Sequence, residues 1–390
     1  MEIYLVGGAV RDKRLGLPVK ERDWVVVGAT AEEMLALGYQ AVGKDFPVFL
    51  HPETREEYAL ARTERKTGAG YTGFATRADP DITLEEDLLR RDLTINAMAE
   101  TTEGELIDPF NGLEDLKHGV LRHVSPAFPE DPVRILRTAR FAARFAHRGF
   151  HVAHATNDLM RRMVQNGEIT HLVAERVWAE LVKALGTQTP VRFFKVLAGC
   201  GALGSLFPEL APATSGVGDD THGQGSVALP VLERAVPLSR RTTIRFAALA
   251  CDMDNLQPEG QGEDALASLC ERYRVPNACR DLARHAVRHR HPLQGATDLS
   301  PESLLGLLNG VDALRRSGRF GELLQVCAAD AAASQRVFNA DYLQQALAAV
   351  LSVNAEGLQQ QGLSGRDIGR ALQQQRIEAI ARLNARRTAQ

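Results

Sequence analysis

The hydrophobic pattern changes period once, near Pro132, and this limits the fold more than any single motif does. Before Pro132 the apolar residues come in short runs closed by turn residues. Ile3-Tyr4-Leu5-Val6 reads as a buried strand, and Gly7-Gly8 opens a helix through Leu15 that Gly16 and Pro18 close. Trp24-Val25-Val26-Val27 reads as a second strand, ended by Gly28. Thr30 and Glu33 have capping-box spacing and predict a helix running to Gly38. Phe49-Leu50 and Tyr58-Ala59-Leu60-Ala61 are further strands. Loops this short point to an antiparallel or mixed sheet rather than a Rossmann sheet. Beyond Pro132, Ile135, Leu136, Ala139, Ala142 and Ala143 recur at helical spacing and strand signals nearly vanish. The expectation is an α+β head with a mixed sheet, followed by all-helical segments. Residues 211–226, APATSGVGDDTHGQGS, read as a connection or functional loop.

Charge and cysteine usage narrow the classes. Lys and Arg total 46 against 49 Asp and Glu, a net charge of −3, so the average excludes a strongly basic protein. A polyanion site has to be a local basic patch. One such patch is the segment 366–387, where six arginines (366, 370, 376, 382, 386 and 387) face only Asp367 and Glu378. Five cysteines, an odd number with wide spacing and no CxxC, argue for reduced thiols and a cytoplasmic location. The start MEIYLVGGAV lacks the basic residues and long apolar core of a secretory signal. No apolar run approaches the ~18 residues of a membrane span.

Four constellations carry chemistry, and each has a bland alternative. GGAVRD, Gly7 to Asp12, follows a strand; its glycines allow close backbone approach to a ligand, and Arg11 lies one turn in. Alone, it could be a tight turn with a solvated arginine. Glu21 and Asp23 are two apart at a strand start and would project from one face. Two adjacent carboxylates suit a hard divalent cation, or else a scattered surface charge. RRDLTINAM, Arg90 to Met98, offers an arginine to a triphosphate, or Asp92 as a helix cap. EDPVRILRTARF, Glu130 to Phe141, places Asp131 at an N-cap and Pro132 in the first turn. There Asp131 and Arg134 can meet across one turn, and Arg137 and Arg140 continue a basic face. That face is either solvated or functional. A carboxylate beside a guanidinium can read the amino donor and ring-nitrogen acceptor that cytosine and adenine share.

These motifs, in this order, resemble those of the class II tRNA nucleotidyltransferases, the bacterial CCA-adding enzymes with poly(A) polymerases as close relatives. GGAVRD, ERDWVVVG, ARTERKTGAGYTGF (61–74), RRDLTINA, IDPFNGLEDL and EDPVRILRTARF carry the likeness, with ERVWAEL (175–181) and LAGCGALGSLFPEL (197–210) more loosely. The resemblance implies a polymerase-β-like nucleotidyltransferase head at 1–125 and a helical neck at 126–210 that selects the nucleotide. It further implies a helical body at 227–330 and a tRNA-binding tail at 331–390. It makes Glu21 and Asp23 the catalytic Mg²⁺ ligands. Gly8 and Arg11 then contact the triphosphate, and Arg91, Arg137 and Arg140 bind ATP or CTP. Asp131 and Arg134 select the base, with Glu130 orienting that pair. Arg62–Phe74, with Gly68, Gly70 and Gly73, matches the loop associated with switching from C to A.

Two departures stand out. Glu21 occupies a position where the family usually has Asp. Cys251-Asp252 stands where many relatives carry the His-Asp of an HD phosphohydrolase, and the upstream His position falls near Val227. His285, His289 and His291 lie further along, but a vestigial helical fold is the reading preferred over a metal-dependent phosphohydrolase. The implied activity is template-independent addition of C, C and A to tRNA 3′ ends, with pyrophosphate released at each step. A poly(A) polymerase is the main alternative; a first strand at Ile3 and a short tail favour the CCA enzyme. A monomer with no membrane partner is expected.

Overall fold

In the computed structural model, β1 (Glu2–Val6) and β2 (Asp23–Val27) pair antiparallel with Val6 opposite Asp23. Residues 1–42, 48–66, 74–210, 228–354 and 366–388 are described. They fall into two units, Met1–Val227 and Ala228–Gln390.

The first unit is built on a mixed sheet. β3 (Gln40–Val42), β4 (Val48–Leu50) and β5 (Glu57–Leu60) lie on one side of the β1–β2 pair, and β2 runs parallel to β5. On the other side lie β6 (Ala99–Thr101) and β7 (Leu106–Ile107), so the order is β3-β4-β5-β2-β1-β6-β7. β2 is apolar without alternation because both faces are covered. Val25 packs with Val6, Ala61, Leu88, Ala97 and Ala99. Val26 packs on the opposite face with Phe49, Tyr58, Leu60 and Met34 of α2 (Ala31–Ala36). The capping box of α2 is present as expected, with Thr30 Oγ1 accepting from Glu33 N at 3.2 Å and Glu33 accepting from Thr30 N at 2.8 Å.

The helices that matter to the site are α1 (Gly8–Arg14), α3 (Leu84–Leu89), α4 (Gly112–His118) and α5 (Val133–Phe145). A 3₁₀ turn, Thr94–Asn96, lies between α3 and α4. Beyond α5 follow α6 (His154–Gln165), α7 (Ala174–Leu185), α8 (Val191–Gly199) and α9 (Ala202–Leu206). The expectation of strand-free structure after Pro132 needs one correction. β9 (His151–Val152) pairs in parallel with β8 (Val120–Leu121) and ties the α5 end back to the segment before it. A two-residue strand leaves no periodic trace in sequence. A separate pair, β10 (Thr63–Lys66) and β11 (Phe74–Arg77), flanks the predicted C-to-A loop, whose Gly68, Gly70 and Gly73 lie outside the described residues. The predicted break at 211–226 also lies outside them.

The second unit is helical throughout its described length. α11 (Thr242–Leu256) is buried continuously from Ile244 to Met253, which makes it the central helix of that unit. α10 (Pro230–Ala235), α12 (Gly262–Arg272), α13 (Asn277–Gln294) and α15 (Ser317–Ala333) pack against it, with α14 (Pro301–Gly310) between the last two in sequence. Further along, Tyr342 of α16 (Ala340–Leu351) donates to Asn384 Oδ1 of α17 (Arg366–Thr388) at 2.8 Å. All five cysteines are buried and free.

Candidate active site

The turn after β1 gathers three of the four motifs. Gly7 has φ +67° and ψ −124°, a backbone that disfavours any side chain, and its N–H donates to Met98 O at 3.1 Å. A Cβ on Gly7 would stand 2.7 Å from Arg91 Nη1, so the glycine makes room for that guanidinium. Arg91 Nη2 donates to Asp87 Oδ2 at 3.2 Å, while its buried Nε has no partner among the described residues. Burial pushes the Asp87 carboxyl up, but Arg91 and Arg90 overcome it and hold it below the ordinary carboxylate value.

Asp23 opens β2 beside this turn, opposite Val6. Strand alternation puts it on the face of Val25, the one that also packs Val6 and Ala97. Its residue surface is open to solvent, yet desolvation at its base raises its pKa; Glu21 raises it further, and Arg91 pulls it back. Glu21 lies two residues ahead of the strand rather than in it, so the predicted shared strand face is not what relates the two acids. Their charges nevertheless interact, and both are oxygen donors of the hardness a divalent cation takes.

Arg11 is placed differently from the expectation of a guanidinium presented one turn into the helix. It is 3% exposed. Its Nε donates to Asp12 Oδ1 at 2.8 Å and its Nη1 to Asn96 Oδ1 at 2.5 Å. The rings of Phe141 and Phe145 cover it, with Cζ at 5.0 and 5.3 Å from their centroids. It still lies against the turn, because a Cβ on Gly8 would be 3.5 Å from its Nη2.

The basic face of α5 is only partly solvated, and its arginines are ion-paired. Arg137 Nε donates to Asp92 Oδ2 at 2.6 Å, and Arg144 Nη2 to Asp12 Oδ2 at 2.7 Å. Arg140 Nε pairs with Glu180 Oε2 of α7. Phe141 sits among the guanidinium carbons of Arg140, Arg11 and Arg137 at 4.2, 5.0 and 5.9 Å. Asp92 Oδ1 accepts from Leu93 N at 2.8 Å and Asn96 Nδ2 at 3.0 Å. Burial alone would raise the Asp92 carboxyl; Arg137, Asn96 and the Leu93 amide reverse this and hold it far below its ordinary value. Asp92 in turn raises Arg137.

Asp131 lies one residue before Pro132, the N-cap of α5; it is extended, and its Oδ1 accepts from Val133 N, the first amide of the helix, at 3.1 Å. Its expected side-chain partner is wrong. Arg176 of α7 binds it with both terminal nitrogens, at 3.0 Å to Oδ1 and 2.8 Å to Oδ2. Arg134 donates instead to Ala127 O at 3.1 Å and Arg90 O at 2.5 Å. Helical spacing permits the Asp131–Arg134 contact, but two backbone carbonyls compete for Arg134. Among the described residues Glu130 makes no side-chain bond to either.

Asn96, Asp12, Asp87, Arg176 and Glu180 thus belong to this constellation and are not singled out by sequence. Asp12 and Asn96 lie within the quoted motifs GGAVRD and RRDLTINAM, and Arg176 and Glu180 are one helical turn apart in ERVWAEL. The IDPFNGLEDL stretch acts as scaffold. Asp108 caps α4 through Gly112 N at 2.7 Å and Leu113 N at 2.8 Å, and Asp115 accepts from Thr94 Oγ1 at 2.7 Å.

In the second unit, no group of three His, Cys, Asp or Glu among the described residues is arranged to hold a metal. Both oxygens of Asp252 accept from the first turn of α10, Val231 N at 3.0 Å and Leu232 N at 2.9 Å. Desolvation pushes this carboxyl up to about 7 despite those bonds. A raised carboxyl binds its proton more tightly folded than unfolded, so this unit should lose stability as pH rises between about 4 and 7. Asp252→Asn should flatten that slope in thermal unfolding; an unchanged slope would assign it to other groups.

Known proteins resemble this chain in sequence and in fold. The family described as "Poly A polymerase head domain" matches residues 3–122, and "Probable RNA and SrmB- binding site of polymerase A" matches residues 149–214. A multifunctional CCA protein of Thioalkalivibrio sulfidiphilus is 54% identical, with 99% of each chain covered. One from Nitrosococcus oceani is 53% identical, covering 97% of this chain and 98% of its own. In structure, the Thermotoga maritima CCA-adding enzyme complexed with tRNA-CCA is similar at TM-score 0.66 and 23% identity. That match covers 98% of this chain and 91% of the other. The fold is therefore that of a polymerase-β-like head followed by helices. The chain belongs to the class II CCA-adding enzyme family.

Proposed function

We propose that this chain adds C, C and A to the 3′ end of tRNA, using CTP and ATP and releasing pyrophosphate. The observation that carries the reading is the position of Arg91. A half-buried guanidinium, paired with Asp87 and with a buried Nε that has no partner among the described residues, lies against the Gly7 turn and acts on the Asp23 carboxylate, where a triphosphate would meet both a donor and a metal site. Over two near-full-length relatives above 50% identity, the name "multifunctional CCA protein" supports the tRNA end as the substrate.

Glu21 and Asp23 would hold a divalent cation, Mg²⁺ in this reading, and the donor set fits: two interacting carboxylates and no soft ligand. When bound, such an ion acidifies the terminal 3′-hydroxyl and neutralises the triphosphate. Gly8 and Arg91 contact the phosphates, and Arg11 braces the turn beneath them. Arg137 and Arg140, fixed by Asp92 and Glu180, contact the incoming ATP or CTP. Asp131 accepts from the amino group of cytosine or adenine, and Arg134 donates to the ring. The reading keeps head, neck, body and tail at 1–125, 126–210, 227–330 and 331–390, working as a monomer. It gives the body no hydrolytic role, since Cys251 is buried and both Asp252 oxygens are taken by α10. Among the described residues no helix is long and apolar enough to cross a membrane.

Base selection provides the test. Asp131→Ala should relax the preference for CTP over UTP on tRNA lacking its CCA end, measured as the ratio of kcat/KM values. An unchanged ratio would remove Asp131 from base reading.

A further inference from the structure

We infer that Arg176 is a specificity-determining positioning residue: it leaves the Asp131 carboxylate one acceptor site, aimed at the incoming base. The inference rests on the base-reading role proposed for Asp131. An ionised carboxylate offers about four lone-pair positions. On Oδ1 both are used, by Val133 N at 3.1 Å and Arg176 Nη1 at 3.0 Å. On Oδ2 one is used, by Arg176 Nη2 at 2.8 Å. Among the described residues, one lone pair on Oδ2 remains. It matches a single N–H of an exocyclic amino group. A carbonyl oxygen in that place, as uracil or guanine presents, meets a carboxylate oxygen and is repelled.

The planar two-point contact fixes the direction of that remaining lone pair as well as its number. A single hydrogen bond would leave the carboxylate free to rotate. The helix behind the contact is firm, since Val177 and Leu181 of α7 are fully buried. One turn further on, Glu180 of the same helix holds Arg140 Nε. A single helix therefore sets both Asp131 and Arg140 in position, through side chains of opposite charge. Arg137 lies close enough to sense both Asp131 and Glu180, so the arrangement acts as one charged unit.

The test compares Arg176→Lys, Asp131→Ala and the double variant with the parent chain. The substrate is tRNA lacking its CCA end, with CTP or UTP supplied separately. Lysine keeps the charge and most of the packing but cannot grip both carboxylate oxygens as a fork. The CTP/UTP ratio of kcat/KM should therefore fall about tenfold, by a drop for CTP with UTP nearly unchanged. In the Asp131→Ala background, Arg176→Lys should leave the ratio where it is, because the two residues act as one. A purely structural role would lower both substrates in parallel and leave the ratio intact, and that result overturns the inference. A thermal unfolding midpoint close to the parent's shows that the lysine variant is folded. Arg176→Gln, which is neutral and smaller, serves as the second variant if it is not. If Asp131→Ala leaves the ratio unchanged, the base-reading role fails and this inference with it. If Asp131→Ala relaxes the ratio and neither Arg176 variant does, the positioning role alone fails.

Discussion

Asp23→Ala should abolish nucleotide incorporation while leaving tRNA binding and folding intact. The loss expected is on the order of 10³-fold or more, because a metal's stabilisation of developing charge is worth several kcal/mol. Structure explains why stability should survive. Asp23 opens β2 at the solvent edge, and its interior-facing neighbours Val25 and Val26 carry the packing. Its carboxyl is raised by desolvation and by Glu21. A carboxyl raised by the fold costs stability once ionised, so the alanine variant should unfold at the same temperature as the parent or higher. Glu21→Ala should lose activity likewise. Retained turnover in either variant would show that the two acids do not hold the metal. Loss of activity together with loss of folding would make Asp23 a structural residue instead.

Asp92→Ala should give the opposite signature, with activity and stability falling together. Asp92 is 5% exposed and is the hub between the Thr94–Asn96 turn and α5. Removing it strands Arg137 and Asn96, and Asn96 helps Asp12 to hold Arg11. Leaving a charged partner unsatisfied costs about 2–3 kcal/mol, reduced here because the Arg137 side chain is 38% exposed. The activity loss should be on the order of 10²-fold for both nucleotides, the size seen when one preorganised donor is removed. Asp92→Asn keeps the shape and loses the charge. The fold depresses this carboxyl, so the parent's advantage over the asparagine variant should be full near neutral pH. It should shrink as pH falls below the ordinary carboxylate value. An advantage that grew on acidification would contradict the ion pair.

What is legible in sequence is local. Thr30 with Glu33, Asp131 before Pro132 and the Gly7 turn each write their geometry into adjacent residues. The first and last have the predicted form in the structure, and Asp131 bonds the first amide of α5 from one residue before the N-cap. The mixed sheet follows from short loops between apolar runs. The strands at 40–42, 99–101, 106–107 and 151–152 leave no such signal, because two or three residues do not establish a period. The structure puts Gly7, Asp23 and Arg91 together and gathers Arg11, Arg137 and Arg140 around Phe141, but the side-chain partners of these residues are not legible in sequence. Arg176 reaches Asp131 across 45 residues of chain, and Arg144 reaches Asp12 across 132. Nothing in local spacing encodes such distances. A guanidinium after a glycine turn looks like an outward donor. The phenylalanines that instead cover Arg11 lie on α5, far along the chain.

The net charge of −3 is explained by the same pairings. The α5 arginines are matched by Asp92, Glu180 and Asp12, so a nearly neutral average conceals an arginine-rich helix face. An average over the chain does not argue against an RNA partner when the acids are spent locally in this way.

Whether the chain builds CCA from CTP and ATP can be read in a single assay. End-labelled tRNA lacking its CCA is incubated with CTP alone, with ATP alone and with both, and product length is read on a gel. Extension should stop at CC with CTP and end at CCA with both nucleotides. Long A tails formed from ATP alone, with CTP ignored, would contradict CCA addition.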